Sequence, residues 1–371
     1  MNHEHRSNWT RHHGGRPPPA VSDRWEQNGL ATDRASSAFG ENPTVQRTPE
    51  EVGLTLTPPP RYRSILVPVD GEPFGEHALP LALGIARRAG ADVRVVHVHC
   101  PLQSTFQPDR LYPDSGLDAF LRRRQQAYLA GLFRRLRKVT SVPVTPVFLQ
   151  GREVADSLCE AAGAGTDLVV MATHGRGPLG RFWFGSVADM LLRRLSVPLL
   201  FVRGYNAPAD LTGDPLVRHV LVPLDGSAFA EQVLEPALAL GTLTGADHTL
   251  LRVIPMATDY SLGYPAAGSQ RPLADRQQAE AWEYLRRTTD RLGGRTLRIH
   301  PRIVHDEQPV AEAILHYAQT HDADLIALAT RGRGGLARLF QGSVADRVVR
   351  GASVPVLVFR PDSEQEGRAI P

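Results

Sequence analysis

One long segment of this sequence occurs twice, and this repetition limits the folds available to it. The segment RSILVPVDGEPFGEHALPLAL begins at Arg63 and recurs as RHVLVPLDGSAFAEQVLEPAL from Arg218, at an offset of 155 residues. The segment ATHGRGPLGRFWFGSVADMLLRRLSVPLLFVR begins at Ala172 and matches ATRGRGGLARLFQGSVADRVVRGASVPVLVFR from Ala329, at an offset of 157. A repeat of this length is a complete domain rather than one turn of a solenoid. The change in offset places a small length difference in the middle of the unit.

The 371 residues divide around this repeat. A chain of this length accommodates two domains of about 150 residues each and leaves a surplus. The surplus is at the N-terminus, where a segment rich in His, Arg, Pro, Asn, Ser and Thr has no helix or strand periodicity and is expected to be disordered. We therefore predict a disordered tail at 1–60, a first domain at 61–204, a linker at 205–216, a second domain at 217–361 and a C-terminal tail at 362–371.

Within each copy, short apolar runs alternate with longer amphipathic stretches. The short runs are rich in β-branched residues and apolar on both faces, as expected of strands buried in a parallel sheet. Alternating strands and helices predict βαβ units with right-handed crossovers. The expected fold class is therefore α/β, with two doubly wound, mostly parallel five-stranded sheets of the Rossmann-like or flavodoxin-like type in tandem.

The predicted elements follow the repeat. The strands of the first copy are predicted at Ser64–Val69, Val93–Val98, Val144–Leu149, Leu168–Ala172 and Leu199–Val202. Its helices are predicted at about Gly75–Ala89, Leu117–Val139, Val154–Ala164 and Ser186–Arg194. The strands of the second copy are predicted near Val220–Leu224, Thr249–Ile254, Arg298–Val304, Leu325–Ala329 and Val356–Phe359.

Composition excludes several classes of function. Lys and Arg number 42 against 39 Asp and Glu, and the net charge of +3 is weak for a protein that binds phosphate backbones, so we expect no nucleic-acid partner. Cys100 and Cys159 lack the spacing of a disulfide framework or a zinc site. No run approaches the roughly 20 apolar residues that span a bilayer, and the N-terminus lacks the apolar core of a secretion signal. We therefore expect a soluble cytoplasmic protein without a metal or a membrane partner.

An acidic residue follows the first strand of each copy, Asp70 before Gly71 and Asp225 before Gly226. In an open parallel sheet, ligands bind beyond the carboxyl ends of the strands. An aspartate there can accept hydrogen bonds from a ribose hydroxyl or a base. It can equally cap the next helix or form an Asx turn. Both interpretations remain open.

A glycine-rich loop with an arginine follows the fourth strand of each copy. Its key positions are Gly175, Arg176, Gly185 and Ser186 in the first copy, and Gly332, Arg333, Gly342 and Ser343 in the second. Glycine lets backbone N–H groups approach an anion closely, and a Gly-Ser pair at a helix N-terminus forms a phosphate-sized cradle. The segments Ser186–Asp189 and Ser343–Asp346 also fit capping boxes, in which the serine only satisfies free amides of the helix. The spacing of these residues fits both a phosphate cradle and a capping box.

Together these motifs resemble the universal stress protein family over nearly all of residues 63–360. The resemblance rests on the PVDG and PLDG strand ends, the ATHGRG and ATRGRG loops, and GSVAD followed by SVPLLFVR or SVPVLVFR. In ATP-binding members it implies a motif of Gly, two residues, Gly, nine residues, Gly and Ser or Thr around the ribose and phosphates. The first glycine of that motif is replaced by Ala172 in one copy and Ala329 in the other. Because alanine adds only a methyl group, we expect altered rather than abolished affinity.

The resemblance also implies the remaining contacts. The adenine would lie near Asp70 or Asp225 and would bond the main chain near Val98 or Val253, at the end of the second strand. The implied ligand is ATP or another adenine nucleotide, with or without Mg²⁺, and no catalytic residue is implied. Because family members usually dimerise through the last strand, the two copies are expected to pair edge to edge as an internal pseudo-dimer. A larger homo-oligomer stays open.

Two functions remain. The first is a sensor or signalling protein of the stress response that binds ATP in each copy with at most slow hydrolysis, because the sequence has no Walker lysine in a GK[ST] context and no obvious water-activating base. The alternative is a nucleotide-independent interaction module, which Ala172 and Ala329 favour and the retained Gly and Ser positions oppose. The second copy is expected to be the tighter site, because it has the cationic Arg331 where the first has His174.

Overall fold

The computed structural model describes residues 62–101, 115–163, 165–174, 185–205, 207–256, 271–293, 297–330 and 344–360. The first copy contains β1 (Ser64–Pro68), a short 3₁₀ helix (Gly75–Ala78), α1 (Leu79–Ala89), β2 (Asp92–His99), α2 (Ser115–Val139), β3 (Val144–Gln150), α3 (Val154–Gly163), β4 (Leu168–His174), α4 (Ser186–Arg194) and β5 (Leu199–Gly204). The second contains β6 (His219–Pro223), α5 (Ala228–Glu231), α6 (Leu234–Thr242), β7 (Asp247–Pro255), α7 (Arg271–Leu292), β8 (Arg298–Asp306), α8 (Val310–Thr320), β9 (Leu325–Ala329), α9 (Val344–Gly351) and β10 (Val356–Phe359). The predicted α/β class is confirmed.

The strands of the described residues form one sheet in the order β3-β2-β1-β4-β5-β10-β9-β6-β7-β8. Each half is parallel and has the same strand order. The halves meet where β5 and β10 pair antiparallel, with Leu200 opposite Leu357. These two strands are edge strands of their own copies. In the combined sheet their backbone groups pair with each other at the centre, which removes two exposed edges.

Two apolar cores cover the two faces of this sheet. Successive residues of β1 point to opposite faces, so Ile65 joins one core and Leu66 joins the other. The first core packs under α1, α2 and α6, and the second under α3, α4, α8 and α9. Because the strands are buried on both faces, they read as unbroken apolar runs in the sequence. Each core contains residues of both copies, which makes the packing continuous across the repeat.

The helix predicted at Gly75–Ala89 is divided in the structure. A 3₁₀ helix precedes α1, and Pro80 lies in the first turn of α1, where its missing N–H is not needed. α1 ends at Gly90, whose φ of 66° lies in the left-handed region and whose N–H bonds to the carbonyl of Ala86. The corresponding region of the second copy is also divided, into α5 and α6. Among the described residues, no helix is both long and apolar enough to cross a bilayer.

A carboxylate holds the long helix of each copy against the segment that follows the first strand. Glu76 is 3% exposed and accepts bonds from Tyr128 Oη at 3.0 Å and from Arg135 Nη2 at 2.5 Å. Burial raises the pKa of Tyr128, and the neighbouring Glu76 raises it further, so the phenol stays protonated and donates. In the second copy, Glu231, whose side chain is 19% exposed, pairs with Arg291. The pairing positions α2 and α7 beside the ends of the first strands.

Candidate functional site

A cavity of about 340 Å³ opens at the carboxyl ends of β1, β2 and β4 in the first copy. Five of the predicted site residues line it: Asp70, Val98, Ala172, Gly185 and Ser186. They come from three strand ends and from the start of α4, so only the fold brings them together. An open parallel sheet binds ligands at this end of its strands.

The second copy has an equivalent cavity of about 360 Å³ at the ends of β6, β7 and β9. Its lining includes the predicted residues Asp225, Val253 and Ala329, together with Val344 and Ala345 from the start of α9. The structure therefore places one cavity of similar size in each copy, at positions related by the sequence repeat.

The glycine-rich loops are described only at their ends. The predicted residues Gly175, Arg176, Gly332, Arg333, Gly342 and Ser343 lie outside the described residues. The comparison of His174 with Arg331 and the capping box predicted at Ser343 also lie outside them. In the first copy the loop leaves the end of β4 and returns at Gly185, which lines the cavity together with Ser186.

The start of α4 does not form the capping box that the sequence allowed. Its N-cap is Gly185, with φ −56° and ψ 146°, and no side-chain hydrogen bond caps the helix. Ser186 is the first helical residue and is exposed on the cavity wall. Because the first amides of a helix lack intrahelical acceptors and carry the positive end of its dipole, the cavity has an anion-favouring wall at this point.

Asp70 and Asp225 each form an Asx turn. Asp70 Oδ1 accepts the N–H of Glu72 at 3.0 Å, and Asp225 Oδ1 accepts the N–H of Ser227 at 2.9 Å. The turns include Gly71 and Gly226, with φ of 94° and 86°, a backbone conformation that glycine adopts without strain. The same carboxylates are exposed and line the two cavities. The turn interpretation is therefore correct, and it leaves the carboxylates accessible to a ligand.

In each copy, one residue of the second strand lines the cavity and was not predicted from the sequence. His97 Nδ1 lies 2.9 Å from the carbonyl of Val69, and Arg252 Nη1 lies 3.3 Å from the carbonyl of Leu224. The two pairs occupy equivalent positions in the repeat. A polar residue between two apolar neighbours at the same position of both strands was a signal available in the sequence. Both residues line their cavities.

The two cavities differ in electrostatic character. The polar residues that line the first are Asp70, His97, Gln125, Thr173 and Ser186, and His97 stacks on Phe148 with ring centroids 5.8 Å apart. The polar side chains of the second, among the described residues, are a carboxylate and a guanidinium. No group of three or more His, Cys, Asp or Glu side chains within the described ranges is arranged to hold a metal ion.

Comparison with known proteins agrees with the fold. The model of the Universal stress protein family matches residues 61–203 and 217–360. A universal stress protein of Methanocaldococcus jannaschii is 28% identical over 153 residues, which cover 41% of this chain and 88% of that protein.

One solved structure gives the same result at the level of the fold. A universal stress protein from Archaeoglobus fulgidus DSM 4304 aligns over 82% of this chain and 98% of its own, with 20% identity and a TM-score of 0.59. A universal stress protein solved in complex with cAMP covers 40% of this chain with 21% identity and a TM-score of 0.31, and all of that chain is aligned. The two family matches and the repeated sheet show that the chain belongs to the universal stress protein family and contains two of its domains in tandem.

Proposed function

We propose that this protein is a stress-response sensor that binds an adenine nucleotide, ATP in the first instance, in the cavity of each copy. The observation that carries the proposal is the first cavity, where the uncapped start of α4 faces the same space as Asp70 and Val98. Its volume falls within the range of small-molecule sites, which starts at roughly 300 Å³. A helix N-terminus favours phosphate, and a carboxylate accepts hydrogen bonds from ribose hydroxyls.

The strand order sets the expected orientation of the ligand in the first cavity. Because β2 and β4 lie on opposite sides of β1, the start of α4, which follows β4, and the end of β2 lie at opposite ends of the cavity. A nucleotide with its phosphates at Ser186 therefore extends its nucleoside past Asp70 toward Val98. Strand ends offer free main-chain groups there, which suit the edge of a base.

Binding rather than rapid turnover is the proposed role. The sequence contains no Walker lysine in a GK[ST] context, the group that contacts the β and γ phosphates in P-loop enzymes. Mg²⁺ would accompany the nucleotide. The β5–β10 pairing supports an internal pseudo-dimer, in which one chain holds two cavities in a fixed relation. The two free thiols, Cys100 and Cys159, support a cytoplasmic location.

A nucleotide-independent interaction module is the second candidate. Ala172 and Ala329 favour it, because each lines its cavity where ATP-binding family members have the first glycine of the motif. In that case the two cavities would remain empty, and partner proteins would contact other surfaces.

Isothermal titration of the full chain with ATP, AMP and cyclic AMP in the presence of Mg²⁺ tests the proposal. We expect saturable binding of ATP that Ser186→Ala weakens about tenfold in the first copy, the effect of one lost hydrogen bond to a charged group. Ser196→Ala is the matched control, because Ser196 is an exposed serine beyond the other end of α4 and does not line this cavity. Flat titrations, with no nucleotide released when the purified protein is denatured, would contradict the proposal and favour the interaction module.

A further inference from the structure

The long helix of the first copy carries far more positive charge than the equivalent helix of the second. α2 contains seven Lys and Arg residues and one carboxylate, whereas α7 contains five Arg residues and four carboxylates. The two helices occupy equivalent places, because each follows the second strand of its copy. Each also holds one arginine against a carboxylate, Arg135 on Glu76 and Arg291 on Glu231. The difference in charge therefore belongs to the outer surface of the helix and not to its place in the fold.

The arginines of α7 are neutralised by carboxylates of the same helix. Arg276 pairs with Glu280, and Arg286 and Arg287 both pair with Glu283. Partners in these pairs are three or four residues apart, the spacing at which side chains on one helix face meet. A helix whose charges pair in this way presents a nearly neutral surface to the solvent.

The exposed cations of α2 have no such partners. The salt bridges of α2 among the described residues involve only Asp118 and Arg135. The remaining exposed cations form two clusters, an N-terminal cluster of Arg123 and Arg124 and a C-terminal cluster of Arg134, Arg137 and Lys138. Like charges three or four residues apart on a helix repel each other, as do those of the C-terminal cluster. A partner that brings carboxylates to this face relieves the repulsion.

Small residues lie between the two clusters on the exposed side of α2. Ala127 and Ala130 are exposed, and a Cβ added at Gly131 would meet nothing within 4 Å. The clusters are about 15 Å apart along the helix, because each residue adds about 1.5 Å. Small side chains at a helix contact allow a second helix to pack close to the first. A helix lying along α2 can therefore reach both clusters at once.

The apolar face of α2 is already occupied, which disfavours a lipid surface as the partner. Leu129, Leu132 and Leu136 are at most 5% exposed and belong to the first core. A helix that binds at a membrane interface inserts its apolar face among the lipid chains. α2 cannot do so without leaving the sheet.

The distribution of charge disfavours a long nucleic acid. The seven cations and one carboxylate of α2 contribute +6 to a net charge of +3, so the rest of the chain carries −3. A polyanion that extended beyond the helix would meet residues that are acidic on balance. A short acidic segment contacts the helix alone.

We propose that the exposed face of α2 docks an acidic helix of a partner protein, whose carboxylates pair with the two cationic clusters. Arginine suits this role, because its guanidinium holds a carboxylate through two parallel hydrogen bonds. Phe120 is 55% exposed one turn before Arg124, and aromatic side chains are enriched at protein interfaces. None of the clustered cations lines the cavity of the first copy. The proposal therefore goes beyond nucleotide binding and does not depend on it.

Fluorescence anisotropy of a labelled peptide tests this docking on the full chain, without nucleotide. The probe is an alanine-based helical peptide with two glutamate clusters ten residues apart, and the control peptide has glutamine in place of each glutamate. At low ionic strength we expect saturable binding of the glutamate peptide, weakened by added salt, and no binding of the glutamine peptide.

Substitutions on the two helices locate the binding face. Arg123→Gln combined with Arg134→Gln removes one cation from each cluster and should weaken binding about tenfold, because one exposed ion pair changes an affinity by up to about fivefold. Arg276→Gln combined with Arg286→Gln is the matched control, which removes the same charge from exposed positions of α7 and should leave the affinity unchanged. Ala127→Leu keeps every charge and should also weaken binding, because the larger side chain holds the partner helix away from α2.

The opposing outcomes are equally specific. Flat titrations with the glutamate peptide, or equal losses in the α2 and α7 double variants, would overturn the proposal, since equal losses would mean that only net charge matters. Tighter binding of a single-stranded RNA or of phosphatidylserine vesicles than of the glutamate peptide would overturn the choice of a protein partner. Self-association that the α2 double variant abolishes would assign the face to a second copy of the chain instead.

Discussion

The first and second copies pair the same strands in the same order, yet they fill several equivalent positions with different side chains. In the first copy Ala86 of α1 and Val93 of β2 belong to the same buried core, and in the second the corresponding residues are Gly241 and His248. At the strand ends, His97 corresponds to Arg252. Strand order depends on burial along whole strands, which both copies retain, whereas single positions can change in compensating pairs. The comparison indicates that the two copies keep the same strand order while the residues that line their cavities differ.

The largest expected difference between the copies concerns the carboxylates Glu76 and Glu231, which differ in burial. Arg135→Ala removes the cation from Glu76, which is 3% exposed, and should cost about 3 kcal/mol of the free energy of unfolding, because it leaves a buried charge with only a phenol partner. Arg291→Ala should cost about 1 kcal/mol or less, because the side chain of Glu231 is 19% exposed and retains access to water. Urea denaturation of both variants measures the difference. Equal losses would show that the two pairs are energetically equivalent.

The next effect is a pH dependence that only the second copy should have. Burial lowers the pKa of His248 to about 4, whereas it is 6.5 in the unfolded chain. Below pH 6.5, His248 is therefore protonated in the unfolded chain but stays neutral in the folded chain until the pH approaches 4. The free energy of unfolding should fall by about 3 kcal/mol as the pH falls from 6.5 to 4.

The variant His248→Val carries the residue that the first copy has at this position. It should lose this contribution, so its stability should depend less steeply on pH over that interval. Val93→Leu is a control that keeps all titratable groups. Parallel profiles for the native protein and His248→Val would contradict the assignment.

A smaller effect follows from the exchange of side-chain size around His248, where the second copy has Gly241 in place of Ala86. Gly241→Ala would put a Cβ in steric conflict with His248 Nε2, so overpacking should cost about 1–3 kcal/mol and should outweigh the helix preference of alanine. Adding His248→Val recreates the Ala86 and Val93 combination and should restore stability. Thermal unfolding of the single and double variants measures the coupling. An additive result would mean that the two residues do not compensate each other.

The smallest effect concerns the segment between the copies. Asp214 accepts bonds from Arg88 Nη1 at 2.8 Å and Nη2 at 2.7 Å, whereas the second copy has Leu243 at the position of Arg88. Asp214→Ala should cost less than about 1 kcal/mol, and high salt should reduce the loss, because the pair is partly exposed. Glu280→Ala, in the more exposed pair with Arg276, is the control and should cost less still. A salt-independent loss at Asp214 would point to packing instead.

Much of the fold could be predicted because buried parallel strands leave a clear pattern. The bounds predicted for α4, β9 and β10 coincide with those observed, since an apolar run or a Gly-Ser pair marks each of them. The strand predicted at Val93–Val98 is longer at both ends, from Asp92 to His99, because hydrogen-bonded register continues past the apolar residues. Periodicity reports burial and does not report where main-chain pairing stops.

Part of the lining of the two cavities could be predicted from the sequence. Asp70 and Asp225 follow from the rule that ligands bind at strand ends, and the structure places both beside cavities. His97 and Arg252 each bond a carbonyl at the end of the neighbouring strand. Only the pairing register of the two strands shows which carbonyl each side chain reaches. The sequence left open whether Ser186 caps α4, because the choice between Ser186 and Gly185 as N-cap depends on backbone angles.

The central claim is that nucleotides occupy the two equivalent cavities, and hydrogen exchange of the full chain with and without ATP tests it most directly. We expect slower exchange in peptides that cover the ends of β1 and β2 and the start of α4, and in the corresponding peptides of β6, β7 and α9. Peptides from the exposed face of α2 should be unchanged. Protection confined to other surfaces, or no change at saturating ATP, would contradict the claim.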